Sequence, residues 1–296
     1  MSTPVVPGGR CGNTGRVVKR RSRRYEARDQ RREDPQVKPD PALRRPVTCT
    51  IITKNEADRI LRCLESVRGL VSEIIVVDSG STDGTLEICR DFGATCLHRD
   101  WEGYGQQKRF AETMASHDWI LNLDADEWLT EATRAELSRL LSAPIREDLH
   151  GFEFRITQVY PGDARPRPFA DYHTYVRLYD RTRCRFPDSA VFDEVKIPAA
   201  HKGRIRAPIF HQSIRSIAHL VEKNILYYRL QTGEIKKKSP LTPVRIAFEP
   251  LLVFFKYYFM KRHVTGGVYG FIVAITIAML RTYRLAILHF PKERTR

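Results

Sequence analysis

An abrupt change of pattern at residue 47 is the feature of the sequence that most constrains its fold. From there to residue 142, short apolar runs alternate with segments of helical period, which is typical of βαβ units and a parallel sheet. The predicted strands are VTCTII (47–52), EIIVVD (73–78), ATCLH (94–98) and WILNLD (119–124). The predicted helices lie within 57–67, 85–92, 104–117 and 130–142.

Two of these helices are preceded by residues suited to capping. Ser81, Thr82 and Asp83 come before the second helix, and Thr130 comes before the fourth. Side-chain oxygens at such positions accept hydrogen bonds from the first helical turn. We therefore expect both helices to begin directly after them.

The second half of the folded region has a different period. After Gly151 apolar and polar residues alternate, which indicates strands with one exposed face. The predicted strands there lie in FEFRITQVY (152–160), YVRLYD (175–180) and FDEVKI (192–197), and a helix follows within 216–231. Taken with the first half, the pattern predicts an α/β fold, a Rossmann-like mixed sheet flanked by helices.

Charge is distributed unevenly along the chain. Basic and acidic residues number 13 and 5 in residues 1–46, 28 and 28 in 47–243, and 9 and 2 in 244–296, so the formal net charge of +15 comes from the two ends. A nucleic-acid-binding core would carry its basic excess within the fold, so we expect no specific nucleic-acid partner. The ends are suited to an anionic partner, and residues 1–45 are predicted to be a disordered basic extension.

Cysteine usage and the N-terminus favour a cytoplasmic protein. The six cysteines form no CxxC pair and have no histidine at metal-ligand spacing, so we expect reduced thiols. Since no apolar segment follows the N-terminus, we expect no secretory signal.

Polar clusters follow three of the predicted parallel strands. They are TKNE (53–56), DSGSTDGT (78–85) and DADE (124–127). Ligands of open α/β sheets bind outside the carboxyl ends of the strands, so we expect the clusters to line one crevice. Asp124 and Asp126 form an Asp-x-Asp pair that suits a hard divalent cation, Mg²⁺ or Mn²⁺, completed by phosphate oxygens and water. The alternative is a pair of acids favoured by the dipole at a helix N-terminus.

Four segments in order carry a family resemblance. TIITKNEADRILRCLESV, EIIVVDSGSTDGT, WEGYGQQKRFAE and WILNLDADEW resemble the family 2 glycosyltransferases with the GT-A fold, in particular the bacterial subgroup similar to the lipopolysaccharide core β-glucosyltransferases. The likeness spans about residues 47–290. It implies a metal-dependent, inverting transfer of a sugar from a nucleotide-sugar donor to a lipid-linked or lipopolysaccharide-core acceptor.

The same resemblance assigns roles on the donor side. Glu56 and Asp78 would contact the nucleotide base and Asp83 the ribose side, although Asp83 could also be a plain helix cap. Asp124 and Asp126 would position the metal and the diphosphate. The donor-binding set predicted from the resemblance and the strand ends is Thr53, Asn55, Glu56, Asp78, Ser79, Asp83, Gln107, Lys108 and Asp124, with Asp126 and Asp124 at the metal. For Lys108 the alternative is a solvated helix residue.

The catalytic base is expected in the second half of the chain. Relatives usually carry Val-His-Glu where this chain has VFDEV, so Asp193 falls on the Glu position and Phe192 replaces the His. Asp193 is the first candidate for the base and Glu194 the second. His211 matches a histidine that recurs in the subgroup, and its alternative role is that of a satisfied structural histidine.

The C-terminal region suggests membrane association. The apolar run 268–280 is shorter than the roughly 20 residues that span a bilayer, and basic residues flank it. We predict a GT-A domain at 46–240 and a membrane-associated helical tail at 241–296 that lies in the interface of an anionic membrane. Core-packing helices and a true span are the alternatives. The expected location is cytoplasmic, peripheral on the inner face of the bacterial cytoplasmic membrane.

Other classes of function fit the residues less well. The strand ends lack GK[ST] and GxGxxG, which disfavours P-loop and dinucleotide-binding proteins. A sugar-nucleotide-forming nucleotidyltransferase would carry a Gly-rich loop with a basic residue after the first strand, where TKNEADR stands instead. A non-catalytic GT-A scaffold at the membrane is a further alternative, which the intact Asp-x-Asp pair disfavours.

Overall fold

The computed structural model describes residues 45–190, 192–231 and 242–289. The strands are β1 (Val47–Thr53), β2 (Glu73–Asp78), β3 (Thr95–His98), β4 (Trp119–Asp124), β5 (Glu127–Leu129), β6 (Gly151–Gln158), β7 (Tyr172–Asp180), β8 (Lys202–Arg204) and β9 (Ile209–His211). The helices are α1 (Ile60–Val67), α2 (Thr85–Phe92), α3 (Tyr104–Met114), α4 (Glu131–Leu141), α5 (Ile217–Gln231), α6 (Thr242–Phe255) and α7 (Gly267–His289).

In the described part of the chain the nine strands form one mixed sheet. Their order is β3-β2-β1-β4-β7-β6-β9-β5, with β8 paired to β6. The first four neighbours are parallel, and β7 is antiparallel to both β4 and β6. Strand β6 therefore runs parallel to β4, and the carboxyl ends of β1, β2, β4 and β6 lie at one edge of the sheet. This edge carries the candidate site.

Continuous apolar strands form the centre of the fold. Strands β1, β2 and β4 are buried on both faces, as expected for parallel strands covered by helices. Helices α1 and α4 pack on one face and α3 on the other. A third apolar cluster joins α5 and α7 to Tyr160, just beyond β6. The predicted fold class is confirmed.

Thr130 caps α4 as predicted, since its Oγ1 accepts a hydrogen bond from the Thr133 N–H at 3.1 Å. The predicted cap of α2 is wrong. Gly84, in the left-handed conformation, occupies the N-cap position without a side-chain bond. Asp83 instead accepts from the Thr85 N–H at 3.2 Å and from the Ala57 N–H at 3.1 Å, so it ties the start of α2 to the loop after β1.

One predicted strand is absent, and three short ones were not predicted. FDEVKI (192–197) is irregular and pairs with no strand among the described residues. It turns Asp193 toward α3 instead of joining the sheet. Strands β5, β8 and β9 have three residues each, which is too short for an apolar period to reveal them.

The C-terminal region forms two helices. The apolar run at 268–280 belongs to a longer helical stretch, His263–Ile287, whose 25 residues and mean hydropathy of 1.7 would allow it to cross a membrane by length and composition. The prediction that this run is too short to span therefore does not hold for the whole helix. The predicted extension 1–45 lies outside the described residues except for Arg45, and the predicted boundary at 240/241 falls in the undescribed gap.

Candidate active site

Lys108 connects the two acidic parts of the site. This α3 residue is only 1% exposed, and its Nζ lies 2.8 Å from Asp124 Oδ1 at the end of β4 and 2.8 Å from Asp193 Oδ2. Burying an ammonium group is unfavourable unless carboxylates pair with it. The alternative of a solvated Lys108 is therefore wrong, and the contact brings Asp193 into the site.

Arg177, on β7, neutralises the acids from the other side. Its guanidinium contacts Asp124 Oδ2 at 2.9 Å and Glu127 Oε1 at 2.5 Å, and it donates to Asn122 Oδ1 at 3.1 Å. Sequence reasoning missed Arg177. A usable signal exists, because an arginine within the apolar strand YVRLYD has to find carboxylates once that strand is buried.

The charges around Asp124 keep it ionised. Burial would raise its pKa, but Lys108 and Arg177 outweigh burial and hold the pKa below the usual value. The pKa of Lys108 is raised, since the attraction of Asp124 and Asp193 exceeds the effect of burial. The two groups therefore form an ion pair near neutral pH.

Asp126 has two different partners. Its Oδ1 lies 3.2 Å from His211 Nε2 on β9, and its Oδ2 lies 3.5 Å from the guanidinium of Arg59. The other ring nitrogen of His211 lies 2.9 Å from the amide nitrogen of Gln158. Burial acts against both charged forms, yet the mutual attraction lowers the pKa of Asp126 and raises that of His211. His211 is thus a member of the site.

Of the predicted metal pair, Asp124 has its two oxygens in contact with Lys108 and Arg177, so Asp126, with His211 beside it in the neutral form, is better placed to hold a divalent cation. A cavity of about 90 Å³ opens beside Asp126, and its other lining residues are Asp58, Arg59, Arg62, Trp128 and Gln212. No group of three or more His, Cys, Asp or Glu side chains in the described ranges is arranged as a metal site. The protein therefore offers two ligands, which fits Mg²⁺ or Mn²⁺ when a bound diphosphate supplies further oxygens.

The loops after β1 and β2 are joined into one unit. The backbone N–H of Asn55 donates to Ser81 Oγ, and that of Thr82 donates to Asn55 Oδ1, both at 2.8 Å. Asp78 Oδ2 accepts from the backbone N–H groups of Gly80 and Ser81, both at 2.8 Å. Asn55 takes the left-handed conformation, with φ of 56°. The predicted clusters 53–56 and 78–85 thus meet, as expected.

Glu56 faces two arginines. Its Oε2 accepts from Arg59 Nε at 2.8 Å and from Arg215 at 3.0 Å. Burial nevertheless raises the pKa of Glu56, because it outweighs the attraction of Arg59. Sequence reasoning missed Arg59 and Arg215, which connect the loop after β1 to Asp126 and to the residues after β9.

Two buried oxygen atoms of the predicted donor site, one on Thr53 and one on Gln107, have no hydrogen-bond partner among the described residues. Gln107 donates through Nε2 to Ser79 Oγ at 2.8 Å and to the Arg99 carbonyl at 3.1 Å, but its Oε1 accepts no bond from the described residues. The Oγ1 of Thr53 is likewise unpartnered in that part of the chain. Buried polar atoms left unpaired cost free energy, so these atoms are suited to a ligand or to water.

The two candidates for the base differ in position. Asp193 contacts Lys108, whereas Glu194 is exposed. The segment that carries Asp193 rests on the start of α3, where the Tyr104 N–H donates to the Ala190 carbonyl at 3.1 Å. A Cβ on Gly105 would lie 2.3 Å from the Phe192 carbonyl oxygen, so only glycine allows this approach.

Comparisons with known proteins agree with this architecture. Residues 48–148 match the model of glycosyl transferase family 2. An uncharacterized glycosyltransferase of Rickettsia bellii is 36% identical over 82% of this chain and 86% of its own length. The lipopolysaccharide core biosynthesis glycosyltransferase LpsC of Rhizobium meliloti is 28% identical over 79% of this chain and 88% of its own.

A solved structure, the glucosyl-3-phosphoglycerate synthase of Mycobacterium tuberculosis, is 24% identical over 40% of this chain and 45% of that one, with a TM-score of 0.31. The mixed sheet, the family match and the glycosyltransferase relatives together define a sugar-transferring class of enzyme. The chain belongs to glycosyltransferase family 2, and it is a glycosyltransferase.

Proposed function

We propose that the protein is a metal-dependent, inverting glycosyltransferase that moves a sugar from a nucleotide-sugar donor to a lipid-linked or lipopolysaccharide-core acceptor. The observation that carries the proposal is the position of Lys108, which joins Asp124 of the Asp-x-Asp pair to Asp193. In the proposed reaction, Asp124 would lie on the side of the donor diphosphate and Asp193 on the side of the acceptor. Similarity to LpsC supports the acceptor class.

Asp193 is proposed as the general base. The acceptor hydroxyl oxygen attacks the anomeric carbon, the bond from that carbon to the diphosphate breaks, and Asp193 takes the hydroxyl proton. Lys108 holds the Asp193 carboxylate in place through the 2.8 Å contact. Attack on the side opposite the leaving group inverts the configuration.

On the donor side, Glu56, Asp78 and Asp83 are proposed to face the nucleoside. Thr53 Oγ1 and Gln107 Oε1 are available for hydrogen bonds to the donor. Asp126 and His211 would hold the divalent cation, which when bound supplies positive charge to the departing diphosphate. Asn55 and Ser79 shape the loops that line this side.

The test is release of nucleoside diphosphate from a panel of UDP-, GDP-, ADP- and TDP-sugars with and without Mg²⁺ or Mn²⁺. We expect slow, metal-stimulated hydrolysis of one donor by the wild type and at least a 100-fold loss in Asp126→Asn. Asp148→Asn is the matched control, because the Asp148 carboxylate pairs with the exposed Arg146 outside the site. Its rate should stay within twofold of the wild type.

Three results would contradict the proposal. A turnover rate that does not change when a chelator is added would show that the reaction needs no metal. Formation of a sugar nucleotide from a sugar phosphate and a nucleoside triphosphate would show that the protein is a nucleotidyltransferase. A protein that neither binds nor turns over any donor would be a scaffold.

A further inference from the structure

The two C-terminal helices carry apolar side chains on surfaces that the described residues leave exposed. On α6 these residues are Val244, Phe248, Leu251, Leu252 and Phe255. Their spacing of four, three, one and three residues places them on one face of the helix. The face continues past the end of α6 through Phe259 and Met260.

Helix α7 repeats the same arrangement. Its exposed apolar residues are Val268, Phe271, Ile272, Ile275, Met279 and Tyr283, again at helical spacing along one face. Across the two helices these side chains are between 39% and 77% exposed. We call the two faces together the apolar face of the α6–α7 hairpin. Exposed apolar side chains grouped on helix faces in this way are typical of an interaction site.

The opposite side of α7 packs on the catalytic unit along its length. Near its start, Tyr160 OH contacts His263 Nδ1, and Thr265 Oγ1 donates to the Pro168 carbonyl at 2.8 Å. Near its end, Leu280 packs in one cluster with residues of α5, and the Arg284 guanidinium lies 5.7 Å from the Tyr228 ring centre. Both ends of α7 are therefore attached to the same body.

This attachment is incompatible with α7 crossing a membrane. A spanning helix would draw α5 into the hydrocarbon, and α5 exposes Glu222 and Lys223. A helix lying flat would instead bury only its apolar face. Although its 25 residues are enough to span a bilayer, the helix lies along the surface of the protein.

Charge favours an anionic bilayer as the occupant of the face. Residues 242–289 contain six basic residues and one acidic residue, and that acid, Glu249, is paired with Arg245 at 3.7 Å. Lys256, Lys261 and Arg262 lie at the turn between the helices. Two copies of so positive a surface would repel each other, whereas anionic headgroups complement it.

The hairpin is also joined to the active-site edge. Tyr160, which contacts His263, follows Gln158 by two residues at the carboxyl end of β6. Gln158 in turn contacts His211, the partner of Asp126. Because β6 and β4 end at the same edge of the sheet, the hairpin and the site share that edge.

We propose that the α6–α7 hairpin lies in the plane of an anionic membrane and holds the active-site edge of the sheet beside the bilayer. This inference rests on the proposed function in one respect: the membrane position would serve to deliver a lipid-linked acceptor to the site. The geometry of the hairpin is argued from its contacts and its charges, and neither depends on which reaction the protein catalyses.

Vesicle flotation tests the surface. Wild type should bind phosphatidylcholine vesicles containing phosphatidylglycerol at least tenfold better than phosphatidylcholine alone. The double variant Leu252→Ser with Met279→Ser should lose at least tenfold in binding. The matched control, Leu61→Ser with Met114→Ser, changes the same residue types at exposed positions on α1 and α3 and should stay within twofold.

Depth measurement tests the orientation. Tryptophan replaces Val268, Ile275 or Tyr283, and its quenching by lipids brominated at shallow or deep positions is compared, with the native protein subtracted. The outer two positions are separated by roughly 22 Å along the helix axis. Equal, shallow depths are expected for all three, and a graded depth would overturn the in-plane hairpin in favour of a span.

Further outcomes would overturn the assigned face or assign it to another partner. Equal binding by both double variants would overturn the assigned face, and dimerisation without vesicle binding would assign it to a second copy. Donor hydrolysis in solution is measured on every variant. Loss of vesicle binding with hydrolysis retained supports the hairpin, and absent hydrolysis with retained vesicle binding refutes the proposed function alone.

Discussion

Lys108 and Arg177 divide the two carboxylate oxygens of Asp124 between them. Arg59 and His211 divide those of Asp126 in the same way. Each acid of the pair therefore meets two cationic partners before any ligand arrives. Such compensation allows carboxylates to cluster at the end of a buried strand without a large electrostatic cost.

The contact between Lys108 and Asp193 leads to a prediction about the base. Asp193→Asn should lower glycosyl transfer by at least 100-fold, because the amide cannot take the acceptor proton. Donor affinity should change less than threefold. The neighbouring Glu194→Gln is the matched control and should retain transfer within threefold, as measured by steady-state kinetics; the reverse pattern would make Glu194 the base.

Arg177 leads to a prediction about stability. Arg177→Lys should lower the free energy of unfolding by about 2–4 kcal/mol, because one ammonium cannot reach Asn122, Asp124 and Glu127 together. Arg183→Lys, at an exposed position, should change it by less than about 0.5 kcal/mol. Urea denaturation measures both, and equal effects would contradict a special role for Arg177.

The sequence could predict the acids of this site better than the bases. DADE and the strand-end loops stand in continuous motifs, so their position follows from the end of a strand. Arg177 and His211 reach Asp124 and Asp126 from strands more than 50 residues further on, and only the sheet order brings them together. The sequence predicts a metal as the counter-charge, and that metal stays a proposal.

At the scale of elements, the start of α3 fits backbone to backbone against a segment described at residues 187–190 and 192–193. The WEGYG motif supplies glycines where that segment crosses the start of the helix. A Cβ on Gly103 would lie 2.2 Å from Ala190 Cα, and one on Gly105 would lie 2.6 Å from the Pro187 carbonyl oxygen. The motif therefore serves to seat the segment that carries Asp193.

Gly105→Ala should displace this segment. We expect kcat to fall at least tenfold with little change in the KM for the donor, because Asp193 moves while the donor loops stay. Stability should fall by about 1–3 kcal/mol from overpacking. Gly93→Ala is the control: it has a φ of 92° but open space around its Cβ, so it should cost about 1 kcal/mol and leave kcat unchanged. Equal kcat in both variants would refute the seating role.

His263 makes the attachment of α7 sensitive to pH. Burial, with Arg167 nearby, lowers its pKa from 6.5 to about 4. Between these values the unfolded chain binds the proton and the folded one does not, so stability is complete above pH 6.5 and is lost as the pH falls toward 4.

Hydrogen exchange of α7 amides, corrected for intrinsic rates, should therefore quicken between pH 7 and pH 5. His263→Asn should abolish this pH dependence, and His173→Asn, at an exposed position, should keep it. If the pH dependence persists in His263→Asn, a group other than His263 is responsible for it.

At the scale of the whole molecule, the parallel half of the sheet was predictable and the antiparallel half less so. Strands β1, β2 and β4 are apolar runs buried on both faces, and the sequence predicts the ends of all four parallel strands, β1 to β4, to within one residue. Strands β5, β8 and β9 form only because β6 and its neighbours offer them hydrogen-bonding edges. The local alternation of apolar and polar residues cannot reveal such pairing between segments that are distant in sequence.

The neutral core and basic ends give a prediction about the whole chain at a membrane. The segment KRRSRR (19–24) contains five basic residues, and replacing all five with Gln lowers the formal net charge from +15 to +10. Each basic residue near an anionic surface contributes about 1 kcal/mol, a contribution that salt screens. At low salt the variant should bind anionic vesicles at least tenfold more weakly than the wild type.

The difference between the two proteins should disappear at about 0.5 M salt, where the Debye length falls to a few ångströms. Phosphatidylcholine vesicles, which carry no net charge, serve as the control and should show no difference at any salt concentration. Tryptophan depth in α7 should be unchanged, because the apolar face, not the N-terminal charge, sets it. A variant that binds as tightly as the wild type at low salt would show that the C-terminal basic residues alone meet the membrane.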